Sequence, residues 1–316
     1  MNLDFIYETN DNIDMFHLIH DIDKDFNVYE SQYSDYKNKL ELLSYFNEST
    51  EELNLVFEAT NQSFLEKIGN KVITLIEKVA HMIDNLISKV TGAFKKSPSE
   101  NEMKQIFQQH PEYAESFLEG LKSGSVRYCD YQDLNEIIDA AEKATKDLKS
   151  GKLGKQSFIQ KMNSLINRVD ETLQPSAGLL KTVSGSADSV TKLLGFKNAC
   201  AKEAIQGQKN KRRIELLKAD LVKEMQETGD DDDHSCMIWR MKLLNKVMNE
   251  TGRTTNWLQS KTDSVLNFVD KHLLTKKVDV DDFANGTGNY HRDKTVKKLK
   301  DINTYEKMTS SNKGGN

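Results

Sequence analysis

The stretch Ser63–Phe94, SFLEKIGNKVITLIEKVAHMIDNLISKVTGAF, decides how the rest of the chain is read. Leu65, Ile68, Val72, Leu75, Val79, Ile83, Leu86, Val90 and Phe94 follow one another at steps of three or four residues. That spacing lines one face of an α-helix, in which 3.6 residues complete a turn. Ile73, Ile76, Ala80, Met82 and Ile87 widen the stripe, and Glu66, Lys67, Lys71, Glu77, Lys78, Asp84 and Lys89 occupy the opposite face. Burying one Leu, Ile or Val is worth roughly 1.5–3 kcal/mol, and an apolar strip of this length exceeds what a monomer leaves in water. The helix therefore needs a cover: other helices of the chain, a second copy, or a lipid surface.

Outward from this segment the pattern stays helical. Only three prolines occur in 316 residues, with 29% charged and 37% hydrophobic residues, which excludes Pro-rich chains and argues against a turn-rich sandwich or barrel. Apolar spacing predicts two helices within 11–46 and a short one through Leu53–Phe57. Pro111 suits a first helical position. Residues 126–129 read as a brief extended piece, Asp130 as the cap of a helix over 131–149, and Gly151 and Gly154 as the separation from a helix over 155–173. Further helices are expected at 197–226, 236–250, 254–275 and 292–308, with breaks at 229–234 and 279–288. The expected fold is all-α and elongated, with little or no β-structure and coiled-coil-like packing of the long helix. Its parts are an acidic helical leader (1–58), a long amphipathic helix (59–96), a compact helical unit (97–174), a C-terminal helical region with basic clusters (175–308) and a disordered tail (309–316).

Candidate chemistry is sparse. The first residues show neither a basic nor an apolar region of a secretory signal, and no apolar run is long enough to span a bilayer. Cys129, Cys200 and Cys236 are odd in number and far apart, so neither a disulfide framework nor a cysteine zinc site is expected. His17 and His20 share a helix face without a third ligand, and Asp281-Asp-Phe-Ala-Asn-Gly breaks the calcium-loop pattern at Phe283 and Arg292. No phosphate-binding loop, dinucleotide fingerprint or nucleophile elbow occurs. The expectation is a non-enzymatic structural or interaction protein without catalytic, cofactor or metal-binding residues.

Charge is uneven. Residues 1–58 hold fourteen acids against Lys24, Lys37 and Lys39, a net −11; the whole chain carries −5, which leaves +6 on the remainder. Two basic clusters, Lys209, Lys211, Arg212 and Arg213 (with Lys218 beyond) and Lys294, Lys297, Lys298 and Lys300, are either solvated helix faces or contacts for a polyanion such as nucleic acid.

An acidic leader followed by Phe57-Glu58-Ala59 and a Lys-rich amphipathic helix resembles the internal-head and other virion structural proteins of large tailed bacteriophages. In that group a prohead protease trims acidic leaders after a Glu, with Ile or Leu two residues earlier and a small residue after. Val56-Phe57-Glu58-Ala59 fits with Val in the first place, and Ile6-Tyr7-Glu8 fits the first part. The resemblance implies a processing site at Glu58 and Ala59, a place in the virion or in host cytoplasm during assembly, and partners among other virion or self subunits through helical packing. Cleavage there turns a −5 chain into a +6 product, and affinity for nucleic acid grows with the phosphates neutralised. Two other readings remain open. One is a peripheral membrane-binding protein acting through residues 63–96, where Lys67, Lys71, Lys78, Lys89, Lys95 and Lys96 favour an anionic surface. The other is a DNA-binding accessory protein acting through the basic clusters.

Overall fold

The computed structural model describes residues 10–45, 51–96, 100–123, 127–175, 188–227 and 231–285. Among them the chain is all-α apart from one small ribbon. The elements are α1 (Asn10–Tyr45), α2 (Glu51–Lys96), α3 (Glu100–Gln109), α4 (Pro111–Ser123), β1 (Arg127–Cys129), α5 (Tyr131–Lys149), α6 (Lys155–Glu171), β2 (Leu173–Pro175), α7 (Ser189–Glu227) and α8 (Asp231–Asn285). A first compact unit ends at Asp263 and a second begins at Ser264, the division falling within α8.

The long helices are longer than the sequence suggests. Instead of two helices, α1 is one, because no glycine or proline interrupts residues 10–45. The short helix at 53–57 and the long one from Ser63 are a single α2, since Glu58-Ala-Thr-Asn-Gln contains no helix breaker. The boundary drawn between 58 and 59 therefore lies inside a helix. The expected break at 229–234 is helical from Asp231, where three aspartates favour the positive end of the helix dipole. The expected separation between 250 and 254 is absent, and α8 runs on through Asn285. Gly252 is accommodated there because it lets α8 approach closely: a Cβ would stand 2.8 Å from Met15 Sδ and 3.2 Å from Val79 Cγ2. The helix expected at 292–308, the tail 309–316 and the cluster Lys294, Lys297, Lys298 and Lys300 lie outside the described residues.

In the first unit α2 is the spine, packed chiefly against α7 and α1. Both neighbours run antiparallel to it, as the ion pairs crossing between them record. Lys67 and Lys71 meet Asp25 at 2.8 Å each, and Lys78 meets Asp14 at 3.9 Å, so α1 climbs as α2 descends. On another side of α2, Lys211 reaches Asp84 at 2.7 Å and Lys218 pairs with Glu77. At 100° per residue, Glu77 and Asp84 lie about 80–140° around α2 from Lys67, Lys71 and Lys78, so α1 and α7 meet different sides of it. The two helices thus flank the spine.

The segment 127–175 follows its sequence closely. Asp130 accepts a hydrogen bond from the Gln132 N–H at 2.8 Å, capping α5 as read. Gly151 takes φ 71°, a conformation glycine alone adopts freely, and turns the chain from α5 into α6. β1 and β2 then pair antiparallel, Tyr128 opposite Gln174, and tie the two ends of this α5–α6 hairpin together. In the second unit, Phe268 and His272 of α8 lie with ring centres 4.2 Å apart and their planes tilted by 35°.

Candidate functional site

The apolar stripe of α2 is the first candidate. Its seven positions from Leu65 to Leu86 are all buried, and Ile68, Val72, Leu75, Val79, Ile83 and Leu86 are fully so. Their cover comes from the same chain: Gly207 of α7 brings its backbone within reach of Ile83, and Met15 of α1 and Gly252 of α8 meet at Val79. The side chains of Val90 and Phe94 lie outside the described set, as do those of Glu58 and Ala59, whose backbone is part of α2. In this arrangement residues 65–86 offer no apolar face to lipid or to a second copy. Among the described residues no helix is long and apolar enough to cross a membrane.

The basic cluster of α7 divides by direction. Lys211 bonds to Asp84, and that hydrogen bond holds its ammonium above the usual value. Arg213 pairs with Asp139 and Glu142 of α5, and Lys218 with Glu77 of α2. These cations fasten α7 to its neighbours. Lys209 and Arg212 instead point to solvent on the far side of α7. One cluster in sequence is therefore two sets in space, and two of the four nominated side chains are left for an external polyanion.

The cationic face of α2 is covered in the same manner. Asp25, 6% exposed, sits between Lys67 and Lys71. Burial acts to raise its carboxyl, but the two ammonium groups outweigh it and hold the group below the ordinary carboxylate range. Asp21 and Asp14 reach Lys71 and Lys78 more loosely, at 3.9 Å, and Glu30 pairs with Lys242 of α8. α1 is thus an acidic cover on a basic surface, seated by Met15, Ile19, Ile22, Phe26 and Tyr29, all buried.

Sequence reasoning missed a polar kernel where α7, α5 and α8 meet. Tyr131 bonds to Thr255 at 2.6 Å, and Thr255 in turn donates to the Thr251 carbonyl at 2.7 Å. The Cys129 N–H donates to Thr254 Oγ1 at 3.0 Å. Beside them Glu203 keeps a buried Oε2 without a hydrogen-bond partner. Burial, with Asp130 adding repulsion and Lys202 opposing, pushes its carboxyl up to about 7. Burial likewise lifts the Cys200 thiol to about 12 and the Tyr128 phenol to about 12. The thiol and the phenol are protonated and inert at neutral pH. A signal for the kernel did exist: Glu203 and Asn210 occupy places in the three–four series Cys200, Glu203, Gly207, Asn210, Ile214, Leu217, Leu221 that otherwise faces the core. Asn210 is satisfied by Asn135 of α5.

His17 and His20 are exposed on α1, and among the described residues no three His, Cys, Asp or Glu side chains are placed to hold a metal ion. Open depressions of about 250 Å³ and 370 Å³ border α2, the second edged by Glu77, Lys78, His81 and Met82. In that one Glu77 is already the partner of Lys218. No protein-family model, no characterised protein and no solved structure matches this chain.

Proposed function

We propose that this chain is a non-enzymatic structural protein of a larger assembly, and most specifically a virion or internal-head component of a tailed phage whose acidic leader shields a basic surface. The observation that supports this reading is the seating of α1: Asp14, Asp21 and Asp25 lie against Lys78, Lys71 and Lys67 of α2. Loss of residues 1–58 removes a net −11 and leaves those lysines without their acids. Trimming after Glu58 requires the first two turns of α2 to unwind, because the Glu58–Ala59 bond is helical and a protease needs extended backbone.

Mass spectrometry of purified particles from the source tests both parts. The expected result is peptides of this chain with a new N-terminus at Ala59 and none from residues 1–58. An intact chain in mature particles overturns the trimming, and absence of the chain from particles overturns the virion role.

A further inference from the structure

We propose that the groove which α2 and α8 form beneath α1 is a docking site for an acidic amphipathic helix of a partner protein, and that α1 is the built-in helix that closes it until the leader is lost. The trigger, and only the trigger, rests on the trimming proposed above. α1 lies in the groove with an apolar face inward, as helices bound in grooves do. Its buried residues Met15, Ile19, Ile22, Phe26 and Tyr29 advance by four, three, four and three, the repeat of a seam between helices. At one end Met15 packs at Gly252 of α8, beside Val79 of α2. At the other Tyr29 meets Phe64 of α2 edge-on, with ring centres 6.4 Å apart.

Both rims of the groove are cationic, and α1 answers each of them. At 100° per residue, Asp14, Asp21 and Asp25 fall on one flank of its apolar row, and Asp23 and Glu30 on the other. The first flank faces Lys78, Lys71 and Lys67 of α2, with Asp25 2.8 Å from both Lys67 and Lys71. The second faces α8, where Glu30 pairs with Lys242 and Asp23 accepts a hydrogen bond from Asn245 at 3.0 Å. Lys242 Nζ also stands 5.6 Å from the ring centre of Phe26.

What α1 leaves behind dictates the chemistry of the next occupant. Its five buried side chains depart together, and the floor they covered becomes an apolar strip that needs a new cover. Lys67, Lys71, Lys78 and Lys242 lose at the same moment the acids that face them. Duplex nucleic acid satisfies these rims and offers nothing to the floor. A neutral apolar helix fills the floor and leaves the cations unanswered. A second trimmed copy has lost the segment that carries the matching pattern. An amphipathic helix with carboxylates on both flanks meets both demands. α1 itself fills the groove imperfectly, which leaves room for a better competitor. Asn245 keeps a buried Oδ1 without a hydrogen-bond partner. Burial also holds the Asp23 carboxyl above its ordinary value, against the pull of Asn245, Lys246 and His20.

The test folds the full chain intact, with a protease site inserted between Tyr45 and Glu51, and then cuts it. Every residue remains, and only the covalent tie of α1 is gone; such a short tie holds a segment at an effective concentration on the order of a millimolar. The probe is a fluorescent designed helix in the register of residues 10–32. It carries Leu at the places of Met15, Ile19, Ile22, Phe26 and Tyr29, Glu at those of Asp14, Asp21, Asp25 and Glu30, and Ala or Gln elsewhere. Fluorescence anisotropy is expected to show one-to-one binding to the cut chain, about tenfold or more tighter than to the uncut chain, with the leader released on gel filtration. Lys67→Glu together with Lys71→Glu weakens this by about tenfold or more, and a probe with Lys at the places of Asp21 and Asp25 recovers it, a gain that misfolding does not imitate. A cut chain that keeps its leader against excess probe, equal binding to cut and uncut chains, no recovery in the charge swap, or equal binding of a probe with Gln at the five Leu places overturns the proposal. Uptake of duplex DNA, of anionic vesicles or of a second copy in place of the probe overturns it too, and assigns the groove to that partner. Binding here beside an intact chain in mature particles refutes the trimming alone; trimmed particles without binding here refute the docking site alone.

Discussion

Leu75→Ala or Ile83→Ala is expected to lower the unfolding free energy by about 2–5 kcal/mol. Both side chains are 0% exposed, on the stripe that α2 turns into the core, and the void left by three deleted carbons cannot be refilled without moving α1, α7 or α8. For a cooperative unit of this size each kcal/mol shifts the melting temperature by about 2–4 °C, so a drop of roughly 4–20 °C is the expected reading in a thermal scan. Leu42→Ala, at a position 58% exposed on α1, provides the contrast, with a change within about 0.5 kcal/mol. The sedimentation coefficient of a folded Leu75→Ala chain stays that of the wild type. If both core variants melt at the wild-type temperature, α2 is not the spine described above.

Glu203→Gln is expected to stabilise the protein, and only above a certain pH. The carboxyl titrates at about 7 in the folded chain against 4.5 when exposed, because burial and Asp130 disfavour its charge. A raised carboxyl means the folded state holds a proton that the unfolded state has released between those values. Stability is therefore full below about pH 4.5 and falls as pH rises towards 7. The difference corresponds to on the order of 3 kcal/mol, and partial exposure of the residue reduces this to about 1–3 kcal/mol. Glutamine keeps the shape without the charge. Chemical denaturation at pH 4.5 and pH 8 should show equal stability for the two proteins at the first and a gain of about 1–3 kcal/mol for the variant at the second. Comparing variant with wild type at each pH cancels the titration of Asp25 and the other carboxylates. An equal offset at both pH values would mean that the ionisation of Glu203 is not what strains the kernel.

These two residues mark what was and was not legible in the sequence. Leu75 announces itself: its neighbours recur at helical spacing, and burial of such a stripe is required by the cost of leaving it in water. Residues 127–175 are as clear, because Asp130, Gly151 and Gly154 act locally, through a cap and a turn. Glu203 gives only a faint mark, a charged residue in an apolar series, and nothing in the sequence says that Tyr131 and Thr255 stand beside it, 124 residues apart in the chain. The sequence suggests helix ends at 58–62 and around Gly252 where the helices run on: the first stretch holds no helix breaker, and at Gly252 the close packing of α8 on Met15 and Val79 outweighs the propensity cost of one glycine.

The sequence by itself determined that the chain is all-α, that the apolar stripe over residues 65–86 of α2 needs a cover, and that positive charge gathers along residues 209–218. These follow from periodicity and composition, which act over one or two turns. Only the tertiary structure decided that α2 is covered by its own chain. It alone divided the cluster, turning Lys211, Arg213 and Lys218 onto Asp84, Asp139 and Glu77 and leaving Lys209 and Arg212 outward. The reason is geometric: adjacent residues on a helix point 100° apart, so a run of cations scatters around the axis, and which of them meet acids depends on the helices that pack alongside.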